Sequence, residues 1–369
     1  MTLFILGVIF SKYKKYGTLF GLLAFIYAGV FSGFRKNVGY DFHAYEDIIK
    51  QSYEFGENRF EWLGALLVYI AGVMETPQLF FLLSTLIFFL LVFYFYKKYS
   101  RNLPIAIAWF FASPFLFFGS MTQIRTNLSM GFALLFFSLN IQRKYFLAIF
   151  ATFLAFNFHR SAPIILLAYL GQKVLGGFSP IRVLIFTIIT ILSYIFLNQI
   201  LLALIDHEYL GGFILDIYKT AGCHPTKVLF SHSEGNALSC SLGGPEFHPA
   251  KWKYTVLYFL ITLIVLIAYY FKEEISSIDQ LMLRWVAVGA AVLFVFINEP
   301  EVGSRLGPFF IILLPVLISN LSEKYSYVLL NVFVTAAFFL LYLLRQYYGY
   351  LDDMAANGFS KGFFLERLL

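Results

Sequence analysis

Residues 17–34 read GTLFGLLAFIYAGVFSGF and residues 35–50 read RKNVGYDFHAYEDIIK. The first stretch carries no charge over a length that crosses a bilayer, for which about 17–20 apolar residues suffice. The second gathers Arg35, Lys36, Asp41, His43 and Glu46 in a chain that is only 13% charged. The first stretch points to a membrane fold. The second raises the question of what so apolar a chain does with polar groups where a helix leaves the lipid.

Runs of the first kind recur at 78–96, 104–119, 183–205, 253–271, 281–297, 306–320 and 326–344, with shorter ones at 128–141 and on either side of His159. The chain of 369 residues is 60% apolar and 20% aromatic, and its mean hydropathy is +0.76. Backbone polar groups have no water to bind inside a bilayer, so apolar runs of this length are read as helices. The expectation is an all-α polytopic integral membrane protein with roughly 10–12 transmembrane helices. It is read as a single transmembrane domain over 1–369. The opening MTLFILGVIF is too short to decide between a half-buried helix and a short span. No fixed-period repeat is visible.

A net charge of +6 invites a nucleic-acid reading, but the basic residues sit in short turns between apolar runs. They are Lys12/Lys14/Lys15, Lys97/Lys98/Arg101, Arg143/Lys144, Lys173/Arg182, Lys272 and Lys324. This is the positive-inside pattern, and it explains most of the excess charge without a nucleic acid. With these turns inside, Lys12–Lys15 and Lys97–Arg101 both lie in the cytoplasm, yet two apolar runs, 61–74 and 78–96, follow the first outward crossing. The shorter one, cut off by Glu75-Thr76-Pro77, is read as a re-entrant or interfacial helix near 61–74. Outside then lie the loop 35–60, the segments GSMTQIRTN (119–127), NFHRSAP (157–163) and NEPEVGSR (298–305), and a larger loop over 206–252.

Arg35, Arg125, Arg160 and Arg305 all fall on that outer side, beside apolar segments. A lone arginine there snorkels to headgroups. Four on one face, most of them near Asp, His or Glu, suit a phosphate-bearing ligand, whose oxygens match the guanidinium fork. His159 is either a hydrogen-bonded packing residue or a general base, and Asp41 either a structural partner of an arginine or the base. Glu61, opening the re-entrant segment, is a further acidic candidate. Tyr40, Tyr45 and Trp62 suit either stacking on sugar rings or anchoring at the interface. Cys223 and Cys240 share the loop 206–252 with three histidines; no pair has the tight spacing of a zinc site, and an outward, oxidising compartment favours a disulfide, with free thiols as the alternative. Walker, G-x-G-x-x-G, H-E-x-x-H and G-x-S-x-G motifs are absent in usable contexts.

Four short segments resemble the EpsG-like, Wzy-type polysaccharide polymerases of bacterial envelopes. RKNVGYDFHAY (35–45) is similar to an R-x-x-V-G-x-D-x-x-x-Y signature. IRTNLSMGFALLFFSL (124–139) resembles an I-R-Q-x-L-A helix start, with Thr126 and Ser129 where the family usually has Gln and Ala. AFNFHRSAPIILL (155–167) matches A-x-x-F-H-x-S-A, and GSRLGPFFIILLPVLIS (303–319) is similar to a later R…P segment with Arg305 and Pro315. Glu61 falls where the family often has a glutamate.

The resemblance implies a glycosyltransferase of the bacterial inner membrane with its active site facing the periplasm. Such an enzyme joins undecaprenyl-pyrophosphate-linked oligosaccharide repeat units into O-antigen or a related surface polysaccharide. Arg35, Arg125, Arg305 and Arg160 would then bind pyrophosphate, and His159 or Asp41 would take the acceptor proton. Tyr45, Glu61, Glu299 and Glu301 complete the set as substrate-binding candidates. No cofactor or metal is expected. The partners are the lipid-linked donor and acceptor and the membrane, with a chain-length regulator as a further one. The alternatives are an O-antigen ligase, another lipid-linked-sugar transferase, or a flippase.

Overall fold

The computed structural model describes residues 14–35, 42–55, 61–113, 116–117, 123–167, 169, 181–182, 185–193, 196, 276–296, 303 and 305–324. All regular structure among them is helical. In chain order the elements are α1 (Lys14–Gly33), α2 (Phe42–Phe55), α3 (Trp62–Val73), α4 (Pro77–Tyr99), α5 (Leu103–Ala112), α6 (Ile124–Ile141) and α7 (Tyr145–Phe156). A 3-10 turn at Ala162–Ile165, α8 (Ser277–Val295), α9 (Pro308–Ile311) and α10 (Leu314–Lys324) follow. Four helices among the described residues are long and apolar enough to cross a membrane: Tyr16–Gly33 of α1, α4, α6 and α8. The protein is an all-α, multi-pass membrane protein. The loop 206–252 with both cysteines, the opening stretch, and the spans expected at 253–271 and 326–344 lie outside the described residues.

Two compact units divide the chain, one of Met1–Ala162 with Leu314–Leu369, the other of Pro163–Leu313. In the first unit α1 runs antiparallel to α4 in close contact. A Cβ on Gly33 would stand 2.6 Å from the Leu82 Cα, and one on Gly29 2.8 Å from a Leu86 methyl. Lipid supplies no hydrophobic drive between helices, so small residues that admit a neighbour's backbone hold such pairs together. Thr85 Oγ1 adds an interhelical bond to Gly29 O at 2.9 Å. Further along, Phe25 of α1 meets Phe89 of α4 and Phe110 and Phe111 of α5 with ring centroids 5.3–5.9 Å apart. Much of the high aromatic content thus forms core. The outward faces stay apolar, as with Leu23, Tyr27, Phe146 and Ile149, which suits contact with lipid chains.

Three expected runs take their limits from local chemistry. The segment 61–74 forms the 12-residue α3; such a helix rises only about 18 Å against a hydrocarbon core of about 30 Å. The run expected to span 104–119 is a helix only to Ala112, because Ser113 precedes Pro114 and is extended (φ −82°, ψ 111°). The run 306–320 is interrupted at Ile312–Leu313, just ahead of Pro315, whose ring fits the first turn of a helix but not an interior.

Two helix ends turn through left-handed residues that are not glycine. Glu75 (φ 50°) follows α3 and Arg143 (φ 61°) follows α6. In each case the next amide returns to a carbonyl of the last turn, Thr76 N to Ala71 O at 3.0 Å and Lys144 N to Leu139 O at 2.9 Å.

The first unit has two chemically different ends. At one, Tyr99 donates to Ser138 O at 3.1 Å, and α10 clasps the turn after α4. There Asn320 Nδ2 donates to Tyr99 O at 3.0 Å and its Oδ1 accepts from Arg101 N at 2.7 Å. Ser319 Oγ accepts from Asn102 N at 3.2 Å. The basic turns Lys97–Arg101 and Arg143–Lys144 therefore share this end. At the other, Phe42, Tyr45 and Ile49 of α2 pack on Val68 and Ala71 of α3, Phe80 and Phe81 of α4, and Ile124 of α6.

Candidate functional site

Arg125 lies in the first turn of α6, where the positive end of the helix dipole disfavours a cation. A counter-charge meets it. Arg125 Nη1 donates to Glu61 Oε2 at 2.8 Å, and Nε donates to the Tyr45 hydroxyl at 3.2 Å. Glu61 is the residue before α3, and its carboxylate makes no cap to its own helix. Its other oxygen, Oε1, accepts from the backbone N–H of Arg160 at 3.2 Å and lies 3.8 Å from the Arg160 Nε. One carboxylate thus holds two arginines 35 residues apart in sequence.

The turn after α7 closes the same assembly from the other direction. Asn157 O accepts from Leu63 N at 3.1 Å and Gly64 N at 3.3 Å, which satisfies first-turn amides of α3. Ser129 Oγ donates to Ala155 O at 2.8 Å and ties α6 to the end of α7. The serine that departs from the family's usual alanine therefore has a packing role. In the turn itself, Ser161 N donates to His159 Nδ1 at 3.2 Å, and Ser161 Oγ lies 2.6 Å from the same nitrogen.

Arg35 approaches this cluster through aromatic rings. It is buried, its guanidinium carbon sits 4.6 Å above the Phe81 ring, and Nη1 donates to Ser32 O at 3.4 Å. Phe81 stacks on Phe42 at 5.0 Å and meets Tyr45 edge-on at 6.1 Å. The Tyr45 ring is buried and stacked on Phe80 at 5.2 Å, and its hydroxyl is what reaches Arg125. Trp62, next to Glu61, is 70% exposed.

Of the residues singled out by sequence, the structure brings Tyr45, Glu61, Arg125, Arg160 and His159 to one end of the first unit, with Arg35 joined through Phe81. Arg305 belongs to the other unit and is half-buried. Asp41, Glu299 and Glu301 lie outside the described residues. Sequence reasoning passed over Phe81, the platform under Arg35, and Ser161, the partner of His159. It also passed over Arg284, a half-buried arginine inside the spanning helix α8. The signal for Arg284 was a single cation in an apolar run, which marks a candidate functional position in a membrane helix.

The family model for the EpsG family matches residues 18–359. The chain belongs to the EpsG family. Membership over nearly the whole length places it among polysaccharide polymerase-like membrane proteins. No curated protein and no solved structure matches the chain. For an EpsG-family protein, an arginine–carboxylate cluster at one end of a helix bundle is a site suited to oxyanions. Guanidinium forks bind phosphate and carboxylate oxygens with the same two-point geometry.

Proposed function

We propose that this EpsG-family chain is a glycosyltransferase that polymerises undecaprenyl-pyrophosphate-linked oligosaccharide repeat units. The product would be O-antigen or a related surface polysaccharide, made at the periplasmic face of the bacterial inner membrane. The observation that carries the reading is the convergence of Arg125 and Arg160 on the two oxygens of Glu61. This resting carboxylate marks where a diphosphate would find two cations. Negative charge grows on the departing diphosphate during transfer, and fixed cations there lower the barrier. Arg35 and Arg305 are further cations for the donor, and Asp41 and His159 remain the acid–base candidates. Glu299 and Glu301, beside Arg305 in sequence, are the candidates for the sugars.

Two roles follow for residues of the cluster. Glu61 and Tyr45 hold Arg125 in position, and the exposed indole of Trp62 offers a face to a sugar ring. The basic turns at the opposite end support placing this end outside, by the positive-inside rule. There the lipid tail stays in the bilayer while the sugars meet water.

Deleting the gene and resolving the lipopolysaccharide on a gel tests the reading. Loss of a polymerase leaves core carrying one repeat unit. Loss of a ligase or a flippase leaves bare core, and that result would replace the proposal.

A further inference from the structure

Arg125 is the second residue of α6, a helix long enough to span the bilayer, so the arginine cluster lies at the level of the lipid headgroups. Every phospholipid there carries a phosphodiester, and a bare pair of guanidiniums would bind its oxygens. Glu61 already fills that position. Its side chain is the most shielded of the three, 11% exposed against 23% for Arg125 and 46% for Arg160. The two cations are also held unequally. Arg125 Nη1 bonds Glu61 at 2.8 Å, whereas the Arg160 Nε stands 3.8 Å from the carboxylate. The hydrogen bond from that residue runs instead through its backbone N–H, at 3.2 Å. An anion arriving from water therefore meets the Arg160 guanidinium first, and that arm is the one most readily exchanged.

Charge decides what can make the exchange. A carboxylate and a phosphodiester each carry one negative charge over two oxygens. Replacing one by the other leaves the charge facing the guanidiniums unchanged. The incoming headgroup must also displace a group tethered to the same chain, which stands at high effective concentration. A diphosphate that links a lipid to a sugar carries one charge on each phosphoryl group. It can face Arg160 with one phosphoryl and Arg125 with the other, and its second charge offsets the loss of Glu61. We infer that Glu61 is a specificity-determining residue: it screens the arginine pair against singly charged phosphate lipids and yields to a lipid-borne diphosphate. The inference rests on the polymerase reading and says how that site tells its donor from the membrane around it.

Undecaprenyl diphosphoglucose and undecaprenyl phosphoglucose share tail and sugar and differ by one phosphoryl group. Their binding to the full-length protein in detergent micelles is measured by native mass spectrometry. The parent should prefer the diphosphate lipid by about tenfold or more, the size of one charge-assisted hydrogen bond. In Glu61→Gln the monophosphate lipid should gain about tenfold, and the preference shrinks accordingly. An unchanged preference overturns the inference. So does a variant that loses the diphosphate lipid without gaining the other, which would make Glu61 only a strut for Arg125. Arg160→Gln leaves the 2.8 Å pair in place and keeps the test decisive if Glu61→Gln does not fold. It should bind the two lipids about equally, and a parental preference in it overturns the inference. Inorganic pyrophosphate, which has no tail, should compete at least about tenfold more weakly than the diphosphate lipid; equal competition would overturn the lipid-borne assignment. Extension of a lipid-linked repeat unit by the same parent protein is read separately. Preference without extension removes the polymerase reading and leaves the screen standing. Extension without preference does the reverse.

Discussion

Removing the charge of Glu61 tests how the arginine cluster is held. Glu61→Gln keeps the shape but turns one of the two accepting oxygens into a donating amide, and it removes the negative charge that faces Arg125 at a helix N-terminus. The contact is short, 2.8 Å, and the side chains of Arg125 and Glu61 are only 23% and 11% exposed. Exposed ion pairs are worth about 0–1 kcal/mol, and interhelical hydrogen bonds in membrane proteins average about 0.6 kcal/mol. Bonds to charged groups are worth about 1.5–3 kcal/mol, and a unit-charge pair at an effective dielectric near 20 reaches about 4 kcal/mol at 4 Å. Partial burial places this pair in the lower part of the charged range. A double-mutant cycle of Glu61→Gln with Arg125→Gln should therefore give a coupling of about 2 kcal/mol, roughly thirtyfold in the folding equilibrium. Equilibrium unfolding in mixed micelles of rising SDS fraction measures it. Coupling below about 0.5 kcal/mol would mean that the pair is an ordinary polar contact and that something other than Glu61 positions Arg125.

Arg125→Lys and Arg305→Lys keep charge but lose the fork, so polymer should drop at least tenfold at normal protein levels; quantifying polymer against immunoblotted protein checks this, and unchanged polymer from both would favour simple snorkelling. Glu75→Gly and Arg143→Gly each relieve a left-handed residue at a helix end and should stabilise the protein by about 1 kcal/mol, read as a rise in the unfolding midpoint. In a background without Cys223 and Cys240, a cysteine at Glu75 should react with an impermeant thiol reagent from the periplasm and one at Arg143 should not. The opposite labelling would invert the assigned sidedness.

The helices and the polar end were legible because each has a local cause. Eighteen uncharged residues at 17–34 read as a span, and Glu75-Thr76-Pro77 marked where the short α3 stops. Arg125, Arg160, Glu61 and Tyr45 could be nominated from their position at one face, since charges near lipid need partners. Their pairing was not legible. That Glu61 faces two guanidiniums depends on where α3, α6 and the turn after α7 meet, which no spacing in the chain encodes. The orientation of the His159 ring depends on a backbone amide two residues ahead, and the Tyr45 face is taken by Phe80 from another helix. Pro114 and Pro315 were visible in the sequence. A hydropathy window averages over one proline, so the breaks at Ser113 and Ile312–Leu313 were hidden by the apolar residues around them.

The clasp of Ser319 and Asn320 on the turn after α4 joins residues as much as 221 positions apart. During synthesis, the amides of Arg101 and Asn102 emerge from the ribosome long before their partners on α10. Until α10 arrives, those groups depend on water, lipid headgroups or the insertion machinery. The first unit therefore cannot mature in the order in which it is translated. Its final fastening waits for most of the chain to be made, and a chain interrupted before residue 319 would leave that end of the bundle unlatched.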